Sequence, residues 1–320
     1  MSNQVIPIFY ACDDNFVKYT IVSLRSMMEN ASKGNQYKVY ILNTDISGRM
    51  KKIMYDMAGG DFEVQFVDVS HMIESIKDRL PIRDYYSKTT YFRLFIAEMF
   101  PEYQKAVYID SDTVVLGDIA EFYNHELGDC WLGGAHEQAM VQIDEYGTYV
   151  EECVGVERDN YFNAGVILIN CEQFRRQRVL EQFIQHLHEY DFVVTQDEDY
   201  LNLICHNHVL WLDSKWNMEV FGEIPVAEPE FKILHFIMVS KPWHFSDCRY
   251  REYFWKYAGM TDVYEEIAAV LDAYTDEERA EDLASCDRLL QTAVDETNRD
   301  DNYLKMVRSG KISRDNESGE

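Results

Sequence analysis

The run Val107-Tyr108-Ile109-Asp110-Ser111-Asp112-Thr113-Val114-Val115 sets two carboxylates one residue apart between β-branched stretches. In extended backbone, residues i and i+2 face the same way, so Asp110 and Asp112 can converge on one hard divalent cation; paired oxygen ligands suit Mg²⁺ or Mn²⁺. The plainer alternative is a helix cap beside a solvated turn residue. A second cluster ends an apolar run, Leu234-His235-Phe236, and continues into Lys241-Pro242-Trp243-His244. There the imidazole would complete an oxygen-rich metal site and Lys241 would neutralise a phosphate as a point charge, the alternative being a core histidine satisfied by its neighbours. In a third cluster, Gln196-Asp197-Glu198-Asp199 opens a helical pattern, where acids ordinarily cap the helix and complement its dipole. Tyr161-Phe162-Asn163-Ala164-Gly165 precedes another apolar run, and its Ala-Gly pair permits either close packing or a ligand's approach to the backbone. The pairs His186/His188 and His206/His208 have a spacing that a helix would splay apart.

Positioning these groups takes a sheet with helices on it. Short apolar runs at Val5–Ala11, Tyr37–Leu42, Phe62–Val67 and Ala106–Ile109 alternate with helical patterns near Phe16–Glu29, Ser47–Met57 and Thr89–Met99, which is the signature of βαβ units on a mostly parallel sheet. In such sheets a nucleotide binds at the carboxyl ends of the strands, and Asp13 or Asp14 directly follows the first, placed to cap a helix or catch a ligand hydroxyl. From about residue 130 the pattern is mixed. An apolar run Phe162–Ile169 and helical patterns at Glu172–His188 and Asp197–Cys205 precede short apolar runs at Val209–Leu212 and Ile233–Phe236. The reading is one α/β domain over 1–258 and an acidic helical extension over 259–320, where 7 basic face 17 acidic side chains, with a frayed polar tail from Lys311 to Glu320.

Composition removes whole classes of function. In 320 residues, 30 Lys and Arg against 57 Asp and Glu leave a net charge of −27, which repels nucleic acid and anionic membrane surfaces. Any anionic substrate must therefore meet locally arranged cations. A hydrophobic fraction of 47% with only six prolines excludes disordered and collagen-like classes. Seven scattered cysteines without a C-x-x-C pair argue against a disulfide framework or structural zinc and fit reduced thiols in the cytoplasm. No apolar window reaches the length of a membrane span, and no signal segment opens the chain, so only peripheral association at the inner face of the cell membrane, through Lys305, Arg308, Lys311 and Arg314, is left.

Taken in order, FYACDDNF (Phe9–Phe16), TTYFRLFI (Thr89–Ile96), YIDSDTVVLGDI (Tyr108–Ile119), WLGG (Trp131–Gly134), YFNAGVILIN (Tyr161–Asn170), DEDYLN (Asp197–Asn202) and HFIMVSKPWH (His235–His244) resemble retaining glycosyltransferase family 8 over roughly residues 4–257. That family contains glycogenin-like enzymes and bacterial lipopolysaccharide galactosyl- and glucosyltransferases. The resemblance implies a GT-A fold and a UDP-sugar donor bound on a divalent cation, usually Mn²⁺. Asp110, Asp112 and His235 would then be metal ligands. Asp13 and Asn15 would touch the uridine end, Arg93 and Lys241 would approach the diphosphate or sugar, and Asn163, Ala164 and Asp197 would line the donor sugar, with Ala11, Thr90 and Ser111 also binding the donor and Asp197 and Glu198 as the catalytic residues, Glu198 offering a carboxylate nucleophile. The implied activity moves galactose or glucose to a hydroxyl of a glycan or glycoprotein with retention of configuration.

Two positions depart from the family pattern. The family commonly reads D-Q-D where this chain has Asp197-Glu198-Asp199, so an acid stands at the amide proposed to sit under the anomeric carbon. The glycine of H-x-x-G-x-x-K-P-W is Met238 here, a side chain where the family lets backbone approach phosphate. These departures motivate an alternative, a UDP-sugar-binding protein with weak or lost transfer. A second alternative is a haloacid-dehalogenase-like phosphatase, whose D-x-D-x-[TV] pattern Asp110-Ser111-Asp112-Thr113-Val114 also satisfies; that family, however, places the motif on its opening strand.

Overall fold

The computed structural model describes residues 4–74 and 88–312. Ten strands form in chain order: β1 (Val5–Ala11), β2 (Gln36–Asn43), β3 (Phe62–Asp68), β4 (Lys105–Ile109), β5 (Thr113–Val115), β6 (Leu132–Gly134), β7 (Val166–Asn170), β8 (Val209–Trp211), β9 (Met218–Glu219) and β10 (Ile233–His235). Seven of them make one sheet in the order β3-β2-β1-β4-β7-β6-β8, and the others a small second sheet, β5-β10-β9. The pairs β1/β2, β2/β3, β1/β4 and β6/β8 are parallel; β7 runs antiparallel to both neighbours. This mixed, mostly parallel sheet between helical layers is the GT-A arrangement.

Both faces of the central strands are buried, which is why they read as continuous apolar runs rather than as alternating ones. Phe9, Tyr40, Leu42, Tyr108, Ile167 and Ile169 point into one core. Their neighbours Ile8, Tyr10, Val39, Ile41, Val107 and Leu168 point into the other. The period-two alternation thus sends every second side chain to opposite helical layers.

Several expected elements differ at their ends. The Thr89–Met99 pattern forms a 3-10 segment, Lys88–Phe95, with only Ile96–Met99 as α-helix. Glu172–His188 breaks into Cys171–Arg176 and Val179–Glu189, because Arg178 between them takes a left-handed backbone at φ 57°. The apolar run Phe162–Ile169 enters the sheet only at Val166: the Asn163 side chain accepts the Gly165 N–H (2.9 Å) and bends the preceding backbone into a loop.

Beyond residue 259 the chain is helical. Tyr264–Ala273 is followed by the long helix Asp276–Asn298 and by Tyr303–Arg308. The long helix opens with a capping box, Thr275 and Glu278 each accepting the other's backbone N–H. Its Leu289 and Ala293, together with Tyr303, are buried in the same core as Tyr149, Phe192 and Tyr200. Lys305 is committed to the carbonyls of Thr297 and Arg299 (3.1 and 2.6 Å), and Arg314 and most of the expected tail lie outside the described residues. Five of the seven cysteines are buried free thiols. No helix among the described residues is long and apolar enough to cross a membrane.

Candidate active site

The carboxyl ends of β1 and β4 and the loop entering β7 meet at one cleft, at the edge of the small sheet. Antiparallel pairing of β5 with β10 sets His235 opposite Thr113, and Phe236 N donates to Asp112 O (2.9 Å), so the chain that follows β4 is clamped beside the histidine. Hydroxyls fix the same segment from below: Thr20 Oγ1 lies 2.7 Å from Ser111 Oγ, and Ser23 Oγ lies 2.7 Å from Thr113 Oγ1 and 3.0 Å from Tyr10 Oη.

Each of the paired aspartates has one oxygen spent on the protein. Asp110 Oδ1 accepts from Tyr108 Oη (2.6 Å) and lies 3.4 Å from Arg93 Nη2. Asp112 Oδ2 accepts from Lys241 Nζ (2.6 Å), which also donates to Phe236 O. The remaining oxygens turn toward His235 Nε2, Asp112 Oδ1 at 3.2 Å and Asp110 Oδ2 at 4.0 Å. One ligand atom from each of the three residues lies within 4.8 Å of the others. Two carboxylate oxygens and an imidazole nitrogen are a donor set that fits Mn²⁺ or Mg²⁺. Gly165 makes this cradle possible: a Cβ there would sit 2.3 Å from His235 Cε1 and 2.6 Å from Asp110 Oδ2. Burial pushes the Asp112 carboxyl up, but Lys241 and His235 beside it outweigh that and hold it below the usual carboxylate range.

Arg93 is an internal strut. Its Nε donates to Thr90 O (2.8 Å) and lies 2.9 Å from Asp197 Oδ2; its Nη1 donates to Ala164 O, and its guanidinium lies over the Tyr108 ring. The charge therefore braces Asp110 and Asp197 against each other, and desolvation is overcome by these two acids, which raise the Arg93 pKa. Asp197 is held above its ordinary range by burial, which Arg93 only partly offsets. Glu198 accepts the Ala164 N–H through Oε2 (2.8 Å), and burial followed by the charge of Glu137 pushes its carboxyl well up. Asp199 faces away into a structural pocket. It accepts from Tyr149 Oη (2.8 Å), Tyr161 Oη (2.9 Å) and Thr195 N (3.1 Å), and burial raises its pKa to about 6.

Of the expected donor-contacting residues, Ala11, Thr90, Arg93, Ser111, Asn163, Asp197, Glu198 and Lys241 line the cleft. Asp13, Asn15 and Ala164 do not. Asp13 Oδ1 instead accepts the N–H groups of Asn15 and Phe16 (3.0 Å each) at the start of the Val17–Asn30 helix. Sequence reasoning missed Asn217 and Glu219. Asn217 joins His235 to Asn163, and the fully buried Glu219 accepts the Gln138 N–H (3.0 Å) next to Glu137, itself the N-terminal cap that accepts the Ala139 N–H (3.0 Å). Neither carries a signal in Trp216-Asn217-Met218-Glu219, which has no periodicity and no motif. Met140, Tyr146, Val194, Ile237, Met238 and Leu289 give the cleft an apolar part, so the long C-terminal helix contributes to its wall. Met238 takes φ 55°, the left-handed backbone that favours glycine.

Residues 7–247 match the family described as Glycosyl transferase family 8. The chain belongs to glycosyltransferase family 8. Among family 8 and related proteins, one from Haemophilus influenzae is 29% identical over 218 residues; the match covers 67% of this chain and 64% of that protein, so less than two thirds of the relative is spanned. The lipopolysaccharide 1,3-galactosyltransferase of Salmonella typhimurium is 26% identical over 253 residues, covering 74% of this chain and 72% of its own. The solved structure of an active-site glutamine-to-glutamate variant of LgtC superposes with a TM-score of 0.68 at 26% identity, over 80% of this chain and 96% of that one. Membership sets the phosphatase reading aside, and the paired aspartates follow the fourth strand rather than the first.

Two outcomes test this geometry. The fold favours protonated Asp199, because its folded pKa of about 6 lies above the unfolded value of 3.8; that contribution is whole below about 3.8 and lost as pH rises through 6. Against Asp199→Asn, wild type is therefore expected to lose on the order of 3 kcal/mol of relative stability between pH 4 and pH 7 in urea titrations, and a flat difference contradicts the burial of this charge. Met238→Gly removes a left-handed side chain that costs about 1–3 kcal/mol, partly offset by the entropy of glycine. The melting temperature is expected to hold or rise, whereas a fall of several degrees would show that the methionine's packing outweighs its backbone strain.

Proposed function

We propose that the protein is a metal-dependent hexosyltransferase that moves galactose or glucose from a UDP-sugar to a hydroxyl of a glycan or glycoprotein with retention. The observation that carries this reading is the cradle in which Asp110, Asp112 and His235 turn one ligand atom each to a common point under Gly165. A divalent cation held there would supply electrostatic stabilisation to a diphosphate and to the charge that develops on it as it leaves. Lys241, which donates to Asp112 Oδ2, would offer a positive charge to a phosphate oxygen beside that site.

In the transfer, the bond between the anomeric carbon and the phosphate oxygen breaks, and UDP leaves with its electron pair. An acceptor oxygen bonds to the same face of the sugar and passes its proton to the departing diphosphate oxygen. Asp197 and Glu198 line the donor sugar in this reading. A buried Glu198 that keeps its proton has one donor and one acceptor, the hydrogen-bonding capacity of the amide the family commonly has there. Its Oε2 takes the Ala164 N–H as an amide oxygen would, leaving the acidic hydrogen for a sugar hydroxyl. This supports same-face substitution over a covalent relay, which needs an ionised carboxylate. The apolar part of the cleft, to which Leu289 contributes, takes the less polar face of the acceptor.

Purified protein incubated with a panel of UDP-sugars and Mn²⁺ is expected to release UDP from one or two of them. Chelator, Asp110→Ala and Asp112→Ala should each lower the rate by roughly a hundredfold or more. Metal-dependent UDP binding with no release over long incubation would instead support a donor-binding protein that does not transfer. Glu198→Gln separates the two routes to retention. It is expected to keep most of the wild-type turnover, and a loss comparable to that of Glu198→Ala would favour the covalent relay.

A further inference from the structure

The metal cradle requires a bare Nε2 on His235, and an imidazole offers that nitrogen only if its hydrogen sits on Nδ1. We propose that Asn217, a buried residue outside the cleft lining, is a positioning residue that fixes the His235 hydrogen on Nδ1 and so turns Nε2 into a ligand; this rests on reading Asp110, Asp112 and His235 as a cation site.

The argument starts from a group whose polarity is not open to choice. Gly165 N–H can only donate, and it donates to Asn163 Oδ1 (2.9 Å). Asn163 therefore presents its oxygen toward the sheet, and its Nδ2 faces Glu137 Oε2, to which it donates. Asn217 Nδ2 lies 2.8 Å from that same Asn163 oxygen and must be the donor there. With its nitrogen so committed, Asn217 has only Oδ1 to offer His235, and this oxygen is 3.0 Å from Nδ1. An amide oxygen cannot donate, so the hydrogen between them belongs to the imidazole. Nε2 is left facing Asp112 Oδ1 and Asp110 Oδ2 at 3.2 and 4.0 Å.

Burial gives the chain its force. Asn163 and Asn217 are 5% and 2% exposed, and reversing the Asn217 amide would set oxygen against oxygen in the interior. Partners of this kind orient a metal-bound histidine, and their removal typically costs 10–100-fold in metal affinity.

Two measurements on the full chain, neither of them an activity, test the assignment. In the first, Mn²⁺ is titrated without donor and binding is read by calorimetry. Asn217→Ala is expected to weaken binding by about 10–100-fold, and Asn217→Asp, which keeps an acceptor oxygen toward Nδ1 but sets its other oxygen against Asn163 Oδ1, should bind better than Asn217→Ala and less well than wild type. In the second, ¹⁵N-histidine spectra of the metal-free protein, with His235→Ala to assign the signal, should show a hydrogen on Nδ1. A wild-type His235 whose Nδ1 carries no hydrogen overturns the proposal, as does an Asn217→Ala protein that binds Mn²⁺ like wild type. If Asn217→Ala does not fold, the wild-type spectrum and Asn217→Asp still decide. If the wild-type protein takes up no Mn²⁺, the cation-site reading fails, while the spectrum still shows which nitrogen Asn217 controls.

Discussion

Like charge packed into one cleft is the constraint on which the rest of this structure depends. Asp110, Asp112, Glu137, Asp197 and Glu198 all line it, with Glu219 buried beside them, and Arg93 and Lys241 answer them from within. Two unit charges 4 Å apart interact by about 4 kcal/mol even at an effective dielectric of 20, so such a group is tolerable only if some members surrender their charge or an external cation enters. Glu198 and Glu219 are pushed toward the neutral form, first by burial and then by Glu137. Lys241 and His235 hold Asp112 below the usual carboxylate range despite its burial. The site keeps negative charge where a metal would sit and loses it where a sugar would lie.

Backbone register, more than side-chain reach, builds that distribution. The β4/β7 pairing brings Gly165 against Asp110, whose N–H donates to Gly165 O (2.7 Å), and the β5/β10 pairing brings His235 against Asp112. A slip of one residue in either ladder would turn the ligands to opposite faces. Gly165 is then the contact through which the two sheets communicate, since a methyl group there would collide with a ligand from each. The same glycine's N–H orients Asn163, so a single backbone position serves both the steric and the hydrogen-bonding requirements of the cradle.

Much of this could be read from the sequence because local pattern carries it. The strands β1, β2 and β4 are buried on both faces over most of their length and so stand out as apolar runs, and the spacing of Asp110 and Asp112 after β4 is itself a statement about extended backbone. What escaped is what three-dimensional neighbours decide. Asn217 and Glu219 sit in a four-residue stretch whose side chains have no meaning until β9 lies beside β10. The Arg93 brace between Asp110 and Asp197 likewise exists only once the fold brings those acids near. Met238 was visible as a departure from a glycine, yet its left-handed backbone shows that the loop kept the glycine's conformation and accepted a side chain in it.

The family match ends at residue 247, but the cleft does not. Leu289, from a helix of the acidic extension, lines it beside Tyr146 and Met238, and the same helix supplies Leu283, Cys286 and Leu290 to an adjoining apolar pocket that shares those two residues. An acidic helix would be repelled by an acidic cleft unless its charges pointed elsewhere. Here Asp276, Glu277 and Glu278 lie at its exposed N-terminal turn while Leu289 and Ala293 face inward. The metal cradle therefore belongs to the part of the chain that the family shares, and part of the apolar wall to a segment that lies beyond the match. The acidic cluster of the cleft can be held constant under that division, while the shape of its apolar wall is free to change with the helix that supplies Leu289.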